Sequence, residues 1–465
     1  MAVALTHLKG RRIGVFGLAR SGLATVRAAV AGGADTVFVW DDKPEARQQA
    51  VALGGHAAEL SEWPWGAIDS LVLSPGGPLT HPQPHPAVGR ARTASVEIIC
   101  DIELLWREMQ GKAGFIAVTG TNGKSTTTAL IGHILESAGF AVAVGGNIGR
   151  AALDLSPASE DCIYVLEMSS YQLDLTRRFR PDVAVWLNLT PDHLERHGDM
   201  TGYAKAKARI LVNMRAEETA ILGIDEPEMQ AVAAALGKPG RPHLVTVSVA
   251  RHGDVTIFVD AVGELYERGE EAVSLDGLPT LRGMHNWQNA AVALAAAGAL
   301  GLERQTILGA MATFPGLAHR MEVLGRRGNV LFVNDSKATN ADAVSRALAT
   351  FDPVYWIAGG RAKEGGIHSL EAFFPRIAKA YLIGEAADAF SRNLAGRIPH
   401  VIAGDLESAM LMAAEDAALD RRPEPTILLS PACASFDQFA DFEERGEAFR
   451  RVFNELDAQP MEAVA

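Results

Sequence analysis

The chain has 465 residues, of which 48% are hydrophobic and 21% charged, and its 43 Lys and Arg against 56 Asp and Glu give a formal net charge of −13. The length suggests about three domains, and the apolar content excludes a disordered chain. The negative charge argues against a nucleic-acid partner, which needs a basic surface, but it is compatible with small anionic ligands held by local groups.

Cysteine usage and apolar runs bear on the cellular compartment. The cysteines Cys100, Cys162 and Cys433 lie far apart and form no CxxC pair. Such a sparse, odd set predicts a reducing compartment and no structural zinc site. The N-terminal apolar run is too short for a signal peptide, and the longest run, residues 290–302, is too short to span a bilayer. We therefore expect a cytoplasmic protein without membrane insertion.

The first segment, up to about residue 112, begins with the outline of a dinucleotide-binding unit. A strand over 12–16 leads through a glycine-containing turn into a helix over 22–31, and a second strand, 36–40, ends at Asp41. An acid at the end of the second strand is typical of nucleotide-binding βαβ units. The glycine spacing departs from GxGxxG, so a plain tight turn stays open as the alternative.

A third strand, 70–73, ends in Ser-Pro-Gly at 74–76 and continues into a proline-rich loop. Five prolines between Pro75 and Pro86 predict an extended, non-helical path. His81 and His85 fall in this loop. Metal ligation is one interpretation of the two histidines, and the pattern favours the other, which is that they are surface loop residues.

The most specific local pattern is the run TGTNGKST at 119–126, which follows a strand over 114–118 and precedes a helical stretch. Glycines let backbone N–H groups turn toward an anion, and the helix N-terminus adds its positive dipole end. Lys124 would meet the β/γ-phosphates and the Ser125 hydroxyl would ligate Mg²⁺. The first glycine of GxxxxGK[ST] would fall at Val118, so this phosphate loop is a shortened variant.

Acidic and imidazole side chains follow two further strands of the second segment, which extends to about residue 318. Glu167 ends a strand over 163–166, while Asp192 and His193 follow a strand over 183–187. The carboxyl ends of parallel strands form the edge where ligands bind. Together with the phosphate loop these residues predict a two-metal site. A helix-capping role for Glu167 and a turn role for His193 remain the alternatives.

The third segment continues the alternation of strands and helices. Its predicted strands cover 330–333, 354–358, 380–383 and 426–429. Strands that alternate with helices along the whole chain predict an α/β protein built on parallel sheets.

Several motifs together resemble those of the Mur ligases, the ATP-dependent amide-bond ligases of peptidoglycan precursor synthesis. They are GTNGKST at 120–126, ExSSYQL from Glu167, NLTPDH at 188–193, GMHNWQN at 283–289, LAHR at 317–320 and NDSKATN at 334–340. The resemblance covers essentially the whole chain. Within the family, NDSKATN and the run SPACASFDQF at 430–439 favour the member that adds D-glutamate to UDP-N-acetylmuramoyl-L-alanine. A DNPR motif, expected in the diaminopimelate- or lysine-adding member, is absent from the sequence.

The resemblance implies three domains and a reaction. A Rossmann-like domain for the UDP substrate would cover 1–112, a central P-loop ATPase-like domain with a parallel sheet 113–318, and a Rossmann-like domain for the amino acid 319–465. ATP would phosphorylate the alanyl carboxylate, and the amine of D-glutamate would attack the resulting acyl phosphate. The implied cofactors are ATP and Mg²⁺ at two sites, and the implied state is a monomer.

The resemblance also assigns roles to individual residues. The catalytic residues would be Lys124, Glu167, His193 and Lys207, the last carried as a carbamate. The Mg²⁺ ligands would be Ser125, Glu167, His193 and Lys207. The ATP site would comprise Gly120, Thr121, Asn122, Gly123, Lys124, Ser125, Thr126, Asn286, Asn289, Arg320, Asp335 and Lys337. Asn147 and His193 would contact the muramoyl substrate. The uracil and diphosphate side, where the match is looser, would comprise Ser21, Asp41, Asp42 and Gly76. The D-glutamate side would comprise Thr339, Lys363, Ser435, Phe436 and Phe442.

Two rival interpretations differ in what they leave unexplained. A folylpolyglutamate synthase-type ligase shares the implied central and C-terminal architecture but lacks an N-terminal UDP domain, whereas about 110 residues precede the phosphate loop here. A non-catalytic nucleotide sensor would give no reason for the joint presence of Lys124, Glu167, His193 and Lys207.

Overall fold

The computed structural model describes residues 3–155, 162–250, 254–278, 280–362 and 366–456. It contains three β-sheets, and the predicted α/β fold class is confirmed. The chain divides into two compact units, the first formed by Met1–Ser274 with Asn286–Phe314 and the second by Leu275–His285 with Pro315–Ala465.

The first sheet is parallel and has the strand order β3-β2-β1-β4-β5. Its strands are β1 Arg12–Phe16, β2 Thr36–Trp40, β3 His56–Ala57, β4 Ser70–Leu73 and β5 Glu97–Ile99. The accompanying helices are α1 Arg20–Ala31, α2 Pro44–Ala52, α3 Pro86–Thr93 and α4 Asp101–Met109. The strand order reverses between β1 and β4, which opens a crevice at the carboxyl ends of these two strands.

The second sheet has the order β14-β13-β12-β11-β10-β9-β6-β8-β7. Its strands are β6 Gly114–Thr119, β7 Val142–Gly146, β8 Ile163–Glu167, β9 Val183–Trp186, β10 Thr219–Gly223, β11 His243–Ser248, β12 Ile257–Val259, β13 Glu264–Glu267 and β14 Val273–Ser274. The helices of this part are α5 Lys124–Ser137, α6 Ser170–Asp174, α7 Leu194–His197, α8 Met200–Val212, α9 Pro227–Leu236, α10 Met284–Gly298 and α11 Arg304–Ala312. The strand that leads into the phosphate loop, β6, therefore lies between β8 and β9.

The third sheet, in the second unit, has the order β15-β16-β20-β17-β18-β19. Its strands are β15 Glu322–Arg327, β16 Val330–Asn334, β17 Val354–Gly359, β18 Ile377–Ile383, β19 His400–Gly404 and β20 Thr426–Leu429. The helices are α12 Ala341–Thr350, α13 Ala387–Leu394, α14 Leu406–Ala418 and α15 Phe442–Glu455. Short 3₁₀ helices in the chain cover Thr6–Leu8, Trp65–Ala67, Ala152–Asp154 and His368–Arg376.

Two antiparallel stretches depart from the predicted alternation of strands and helices. β12, β13 and β14 pair antiparallel, and the turn between the first two is closed by Asp260, whose carboxylate accepts the N–H groups of Val262 and Glu264 at 3.0 and 2.9 Å. β15 pairs antiparallel with β16 across a turn at Gly328, which has φ +59°. The polar composition of β15 does not resemble a buried strand, so the third segment begins one strand earlier than the sequence predicted.

The central strands are apolar, as expected for parallel strands that are buried on both faces. β8 and β9 are buried along their whole length, as are β16, β17 and β20. Helices of the described ranges are all too short or too polar to cross a membrane.

A buried carboxylate connects the first sheet's last helix to the second sheet. Glu103 of α4 is 0% exposed and accepts the backbone N–H groups of Arg177, Arg178 and Phe179 at 2.9 to 3.1 Å. The Nε of Arg107 donates to the same carboxylate at 2.9 Å. Four charge-assisted hydrogen bonds to one buried group fix the segment that precedes β9.

Replacement of Glu103 by Ala is expected to lower the free energy of unfolding of the first unit by about 3 kcal/mol, because three backbone N–H groups and one guanidinium lose their buried carboxylate partner together. Urea denaturation measures the change, with Glu136→Ala on the exposed face of α5 as the control. A loss within about 0.5 kcal/mol of the control, the usual scale of surface substitutions, would show that Glu103 does not anchor this segment.

Candidate active site

The phosphate loop lies where the sequence predicted it, between β6 and α5, and its glycines are required by the space around them. Gly123 has φ +81°, and a Cβ there would lie 2.4 Å from Oδ1 of Asn289. Gly120 has φ +157°, and its Cβ would lie 2.9 Å from the Cβ of Leu187. Any larger residue at either position would have to displace the neighbouring segment.

The loop is held from outside by the segment that follows β9. Asn188 Oδ1 accepts the N–H groups of Thr121 and Asn122 at 3.0 and 2.9 Å, and its Nδ2 donates to the Asn122 carbonyl at 3.2 Å. The Thr121 hydroxyl donates to the Thr190 carbonyl at 3.0 Å. Two backbone donors assigned to ATP are thus occupied within the protein. The N–H groups for an incoming phosphate are those at the start of α5, from Gly123 onward.

Two lysines converge on one carbonyl of the loop. Lys124 Nζ donates to the Gly120 and Thr121 carbonyls at 2.9 and 2.8 Å, and Lys207 Nζ donates to the same Gly120 carbonyl at 2.7 Å. Lys207 is 1% exposed, whereas Lys205, two residues earlier on α8, is exposed. Burial and, next, the charge of Lys124 hold the pKa of Lys207 well below its ordinary value, which favours the neutral amine.

Glu167 and Asn147 meet at the carboxyl ends of adjacent strands. Glu167 lies opposite Val118 in the β6–β8 pairing, immediately before the phosphate loop. Its Oε1 accepts the Asn147 side-chain amide at 2.7 Å. Its Oε2 is buried and has no hydrogen-bond partner among the described residues. A buried carboxylate oxygen without a partner fits a cation ligand, because an unpaired buried charge is costly.

His193 lies at the same edge in a left-handed backbone conformation, with φ +52°. Its Nδ1 is 3.1 Å from the Tyr171 hydroxyl, and its Nε2 is 3.4 Å from a carboxylate oxygen of Asp192. No three His, Cys, Asp or Glu side chains of the described ranges group closely enough to hold a metal by themselves. The predicted ligands Ser125, Glu167, His193 and Lys207 would therefore need oxygen atoms contributed by phosphate or by a carbamate.

The predicted adenine-side asparagines pack against the phosphate loop from α10. Asn289 Oδ1 accepts the Thr127 hydroxyl at 3.2 Å, and its Nδ2 donates to Asn286 Oδ1 at 3.2 Å. Both asparagines are buried, at 6% and 3% exposure. Their amides fix each other and the first turn of α5.

A cavity of about 450 Å³ opens at the reversal of strand order in the first sheet. All four residues predicted for uracil and diphosphate line it, namely Ser21, Asp41, Asp42 and Gly76. The Asp41 carboxylate accepts the N–H groups of Leu18 and Lys43 at 2.6 and 2.9 Å, so it shapes the turn around the cavity.

His85 lies in the loop where the sequence predicted it, but it is half-buried. It lines the cavity, its ring centroid lies 4.0 Å from that of Phe16, and its Nδ1 accepts the N–H of Ala87 at the start of α3. Burial lowers the pKa of His85. The signal that could have identified it is the following Pro86, which is typical of the first helical position after a cap.

Three residues predicted for ATP lie in the second unit, after β15 or around it. Asp335 accepts the Ser430 hydroxyl at 2.8 Å and the Met321 N–H at 3.1 Å. Burial raises the pKa of Asp335 to about 7. Lys337 Nζ lies 4.3 Å from the ring centroid of Phe442, and Arg320 is half-buried two residues before β15.

The loops predicted for D-glutamate are joined at the carboxyl edge of the third sheet. The N–H of Ala432 donates to the Ala338 carbonyl at 2.9 Å. Arg361 and Ala434 form two backbone hydrogen bonds with each other, of 2.9 and 3.0 Å. These bonds place the loops of Thr339 and Ser435 side by side. Ser435 is buried and Thr339 half-buried, whereas Phe436 is 62% exposed. Lys363 lies outside the described residues.

Several residues that shape this edge were not predicted from the sequence. They are Asn188, Tyr171, Tyr203 and Arg196. Tyr203 supports the site from α8: its hydroxyl is 3.3 Å from Thr121 Oγ1, and Lys207 Nζ lies 4.7 Å from its ring centroid. Helical spacing within α8 places Tyr203 and Lys207 on one face, which was the available signal.

Known proteins match this chain in sequence and in fold. Family models match as the Mur ligase middle domain over residues 118–297 and as the Mur ligase, glutamate ligase domain over 319–433. The chain is 51% identical over 455 residues to a UDP-N-acetylmuramoylalanine--D-glutamate ligase of Brucella abortus, with 96% of each chain covered. It is 49% identical over 467 residues to the ligase of the same name of Caulobacter vibrioides, with 98% of each covered.

Solved structures share the fold at lower identity. A UDP-N-acetylmuramate-alanine ligase from Thermotoga maritima matches with a TM-score of 0.57 and 18% identity over 97% of this chain and 100% of that one. A UDP-N-acetylmuramoyl-L-alanyl-D-glutamate--2,6-diaminopimelate ligase matches with a TM-score of 0.58 and 19% identity over 99% and 95%.

Lys124→Ala is expected to lower kcat/KM for ATP-dependent turnover about 10²-fold or more, because it removes a preorganised charge from the start of α5. Steady-state kinetics measure the loss, and circular dichroism verifies the fold. Lys205→Ala, which removes an exposed lysine, is the control. Near-normal turnover by folded Lys124→Ala would reject the assignment.

Asp335 is expected to make the second unit less stable as the pH rises. Its pKa is about 7 in the folded protein against an ordinary value of 3.8 for an aspartate side chain, so the folded state binds the proton more tightly. This contribution is complete below the unfolded pKa and is lost as the pH rises toward the folded pKa. Urea denaturation at pH 4.5 and 7.5 is expected to show a smaller pH effect for Asp335→Asn than for the wild type or for exposed Asp388→Asn. Identical pH effects in all three proteins would contradict the account.

Proposed function

The chain belongs to the Mur ligase family, and we propose that it is the ATP-dependent ligase that adds D-glutamate to UDP-N-acetylmuramoyl-L-alanine in peptidoglycan precursor synthesis. The proposed substrate rests on the matches, at about 50% identity over nearly the full length, to curated UDP-N-acetylmuramoylalanine--D-glutamate ligases. The phosphate loop with Glu167 and Lys207 beside it supports the ATP-dependent step.

The proposed reaction has two transfers. An oxygen of the alanyl carboxylate attacks the γ-phosphorus of ATP, the bond to the bridging oxygen breaks, and an acyl phosphate and ADP form. The D-glutamate amine then attacks the acyl carbon, loses a proton, and expels inorganic phosphate. The carboxylate becomes an electrophile because its oxygen now leaves as phosphate. Lys124 and the N-terminal N–H groups of α5 would stabilise the charge on the transferred group.

The described residues fit Mg²⁺ as the accompanying metal. Glu167 Oε2 is a buried carboxylate oxygen without a partner among the described residues, and Ser125 is the second residue of α5. Glu167 and Ser125, with His193 and a modified Lys207, would hold the two ions. When bound, Mg²⁺ neutralises charge on the phosphates. Asn147 would orient Glu167 through the 2.7 Å hydrogen bond that its side-chain amide donates, and it would also contact the muramoyl group.

We propose that Lys207 is carbamylated. The neutral amine attacks CO₂, a C–N bond forms, and one proton is released, which leaves an anionic carbamate. Two features support the step: burial favours the neutral amine, and an ammonium would stand beside Lys124 and a metal site. The carbamate would replace a repulsive charge with oxygen ligands suited to Mg²⁺.

The remaining assignments follow the same reaction. The cavity with Ser21, Asp42 and Gly76 would take the UDP end of the substrate, and the joined loops of Thr339 and Ser435 would take D-glutamate with Lys363. We further propose a cytoplasmic monomer with the domain boundaries near 112 and 318. A cytoplasmic location suits an enzyme that uses ATP and a UDP-linked substrate.

Phosphate release from ATP tests the proposed function. The complete mixture of ATP, Mg²⁺, UDP-N-acetylmuramoyl-L-alanine and D-glutamate is compared with mixtures that lack one component. L-glutamate, meso-diaminopimelate and a folate substrate replace the cognate compounds in parallel. The proposal expects release that needs both cognate substrates. Release driven by diaminopimelate would indicate another member of the family, and release driven by folate with L-glutamate would indicate a folylpolyglutamate synthase-type ligase.

Lys207→Arg is expected to reduce kcat on the order of 10²-fold or more although it keeps a positive charge, because a guanidinium cannot form the carbamate that the metal site needs. Lys205→Arg on the exposed face of α8 is the matched control. A crystal structure with nucleotide and Mg²⁺ is expected to show a carboxylate-like extension on Lys207. Unmodified Lys207 in an active, metal-bound crystal would refute the carbamate.

A further inference from the structure

Arg196 of α7 contacts the loop that lines the nucleotide cavity. Its Nη2 donates to the Gly77 carbonyl at 2.6 Å, and Gly77 lines the cavity together with Gly76. The two segments also approach each other at Gly198, where a Cβ would lie 3.1 Å from the ring of His81. The loop after β4 and the segment around α7 are therefore packed together at two points.

The same arginine also contacts Tyr171, which lies beside His193 at the carboxyl edge of the second sheet. The guanidinium carbon lies 5.2 Å from the centroid of the Tyr171 ring. The Tyr171 hydroxyl is 3.1 Å from His193 Nδ1, and the N–H of Arg196 donates to the His193 carbonyl at 3.0 Å. One side chain thus touches the cavity loop and, through one intervening ring, the imidazole proposed to serve the metal.

This placement is costly for an arginine, which argues that the contact has a purpose beyond solubility. Nη1 of Arg196 is buried and has no hydrogen-bond partner among the described residues. Burial lowers the pKa of the guanidinium, and the Asp174 carboxylate opposes that shift. A buried, unpaired donor in a native protein calls for an explanation by function or by a partner supplied later.

We propose that Arg196 is a positioning residue that couples occupancy of the nucleotide cavity by the UDP end of the substrate to the placement of its reacting end beside His193. A ligand in the cavity fixes the loop of Gly77. Because Arg196 is hydrogen-bonded to that loop and packs on Tyr171, the positions of Tyr171 and His193 become fixed as well. The inference rests on the proposed function. Lysine cannot replace the arginine, since one ammonium lacks the planar fork that meets a carbonyl and an aromatic face together.

The test compares two substrates in one variant. Arg196→Met keeps the length of the apolar stem and removes the fork. Turnover is measured with UDP-N-acetylmuramoyl-L-alanine and with 1-phospho-N-acetylmuramoyl-L-alanine, which lacks the uridylyl group. We expect kcat/KM for the full substrate to fall about tenfold or more, the scale of a lost hydrogen bond from a charged group, and that for the truncated substrate to change about twofold or less. Arg178→Met, which removes an exposed arginine of the same unit, is expected to change neither.

Equal losses on both substrates would overturn the coupling and leave Arg196 with a merely structural role. If Arg196→Met does not fold, as judged by thermal unfolding, Arg196→Lys repeats the comparison with the same two outcomes. The wild type separates this inference from the proposed function. Wild-type phosphate release that does not depend on D-glutamate would reject the function itself, whereas normal wild-type turnover with equal losses in the variant would reject the coupling alone.

Discussion

The shape of the phosphate loop depends on the hydrogen bonds made by the Gly120 carbonyl and by the residues that follow it. This carbonyl accepts hydrogen bonds from Lys124 and Lys207, while Asn188 takes the next two backbone N–H groups. The loop therefore keeps its shape through partners inside the protein, and a phosphate does not have to order it on binding. Preorganised donors stabilise developing charge better than donors that must rearrange.

Burial then determines the chemistry of the second lysine. α8 presents Lys205 to water and Lys207 to the loop, so the two residues differ in burial although they are two positions apart. The buried amine is held next to another cation, which favours its neutral form. The same edge contains Oε2 of Glu167, a buried carboxylate oxygen without a hydrogen-bond partner among the described residues.

The sequence predicted the strands, the phosphate loop and the carboxylate at the end of β8, because these features follow from local patterns of apolar residues and glycines. It could not predict Asn188 as the residue that holds the loop, since that contact joins two strands that are neighbours in the sheet but distant in the chain. Arg196 was not predicted for the same reason, because its contact is with the distant loop after β4. His85 belongs to that loop, and it lines the cavity because the loop brings its ring against Phe16. The antiparallel strand β15 was missed because its polar surface carries no strand pattern.

The central claim is that phosphate passes from ATP to the carboxylate of the UDP-linked substrate before the amide forms. It is tested most directly with substrate whose alanyl carboxylate carries ¹⁸O at both oxygens. Mass spectrometry of the inorganic phosphate after turnover with D-glutamate and ATP is predicted to show one ¹⁸O atom for each amide formed, because the carboxylate oxygen leaves with the phosphoryl group. Phosphate that contains no ¹⁸O while the amide accumulates would contradict the account.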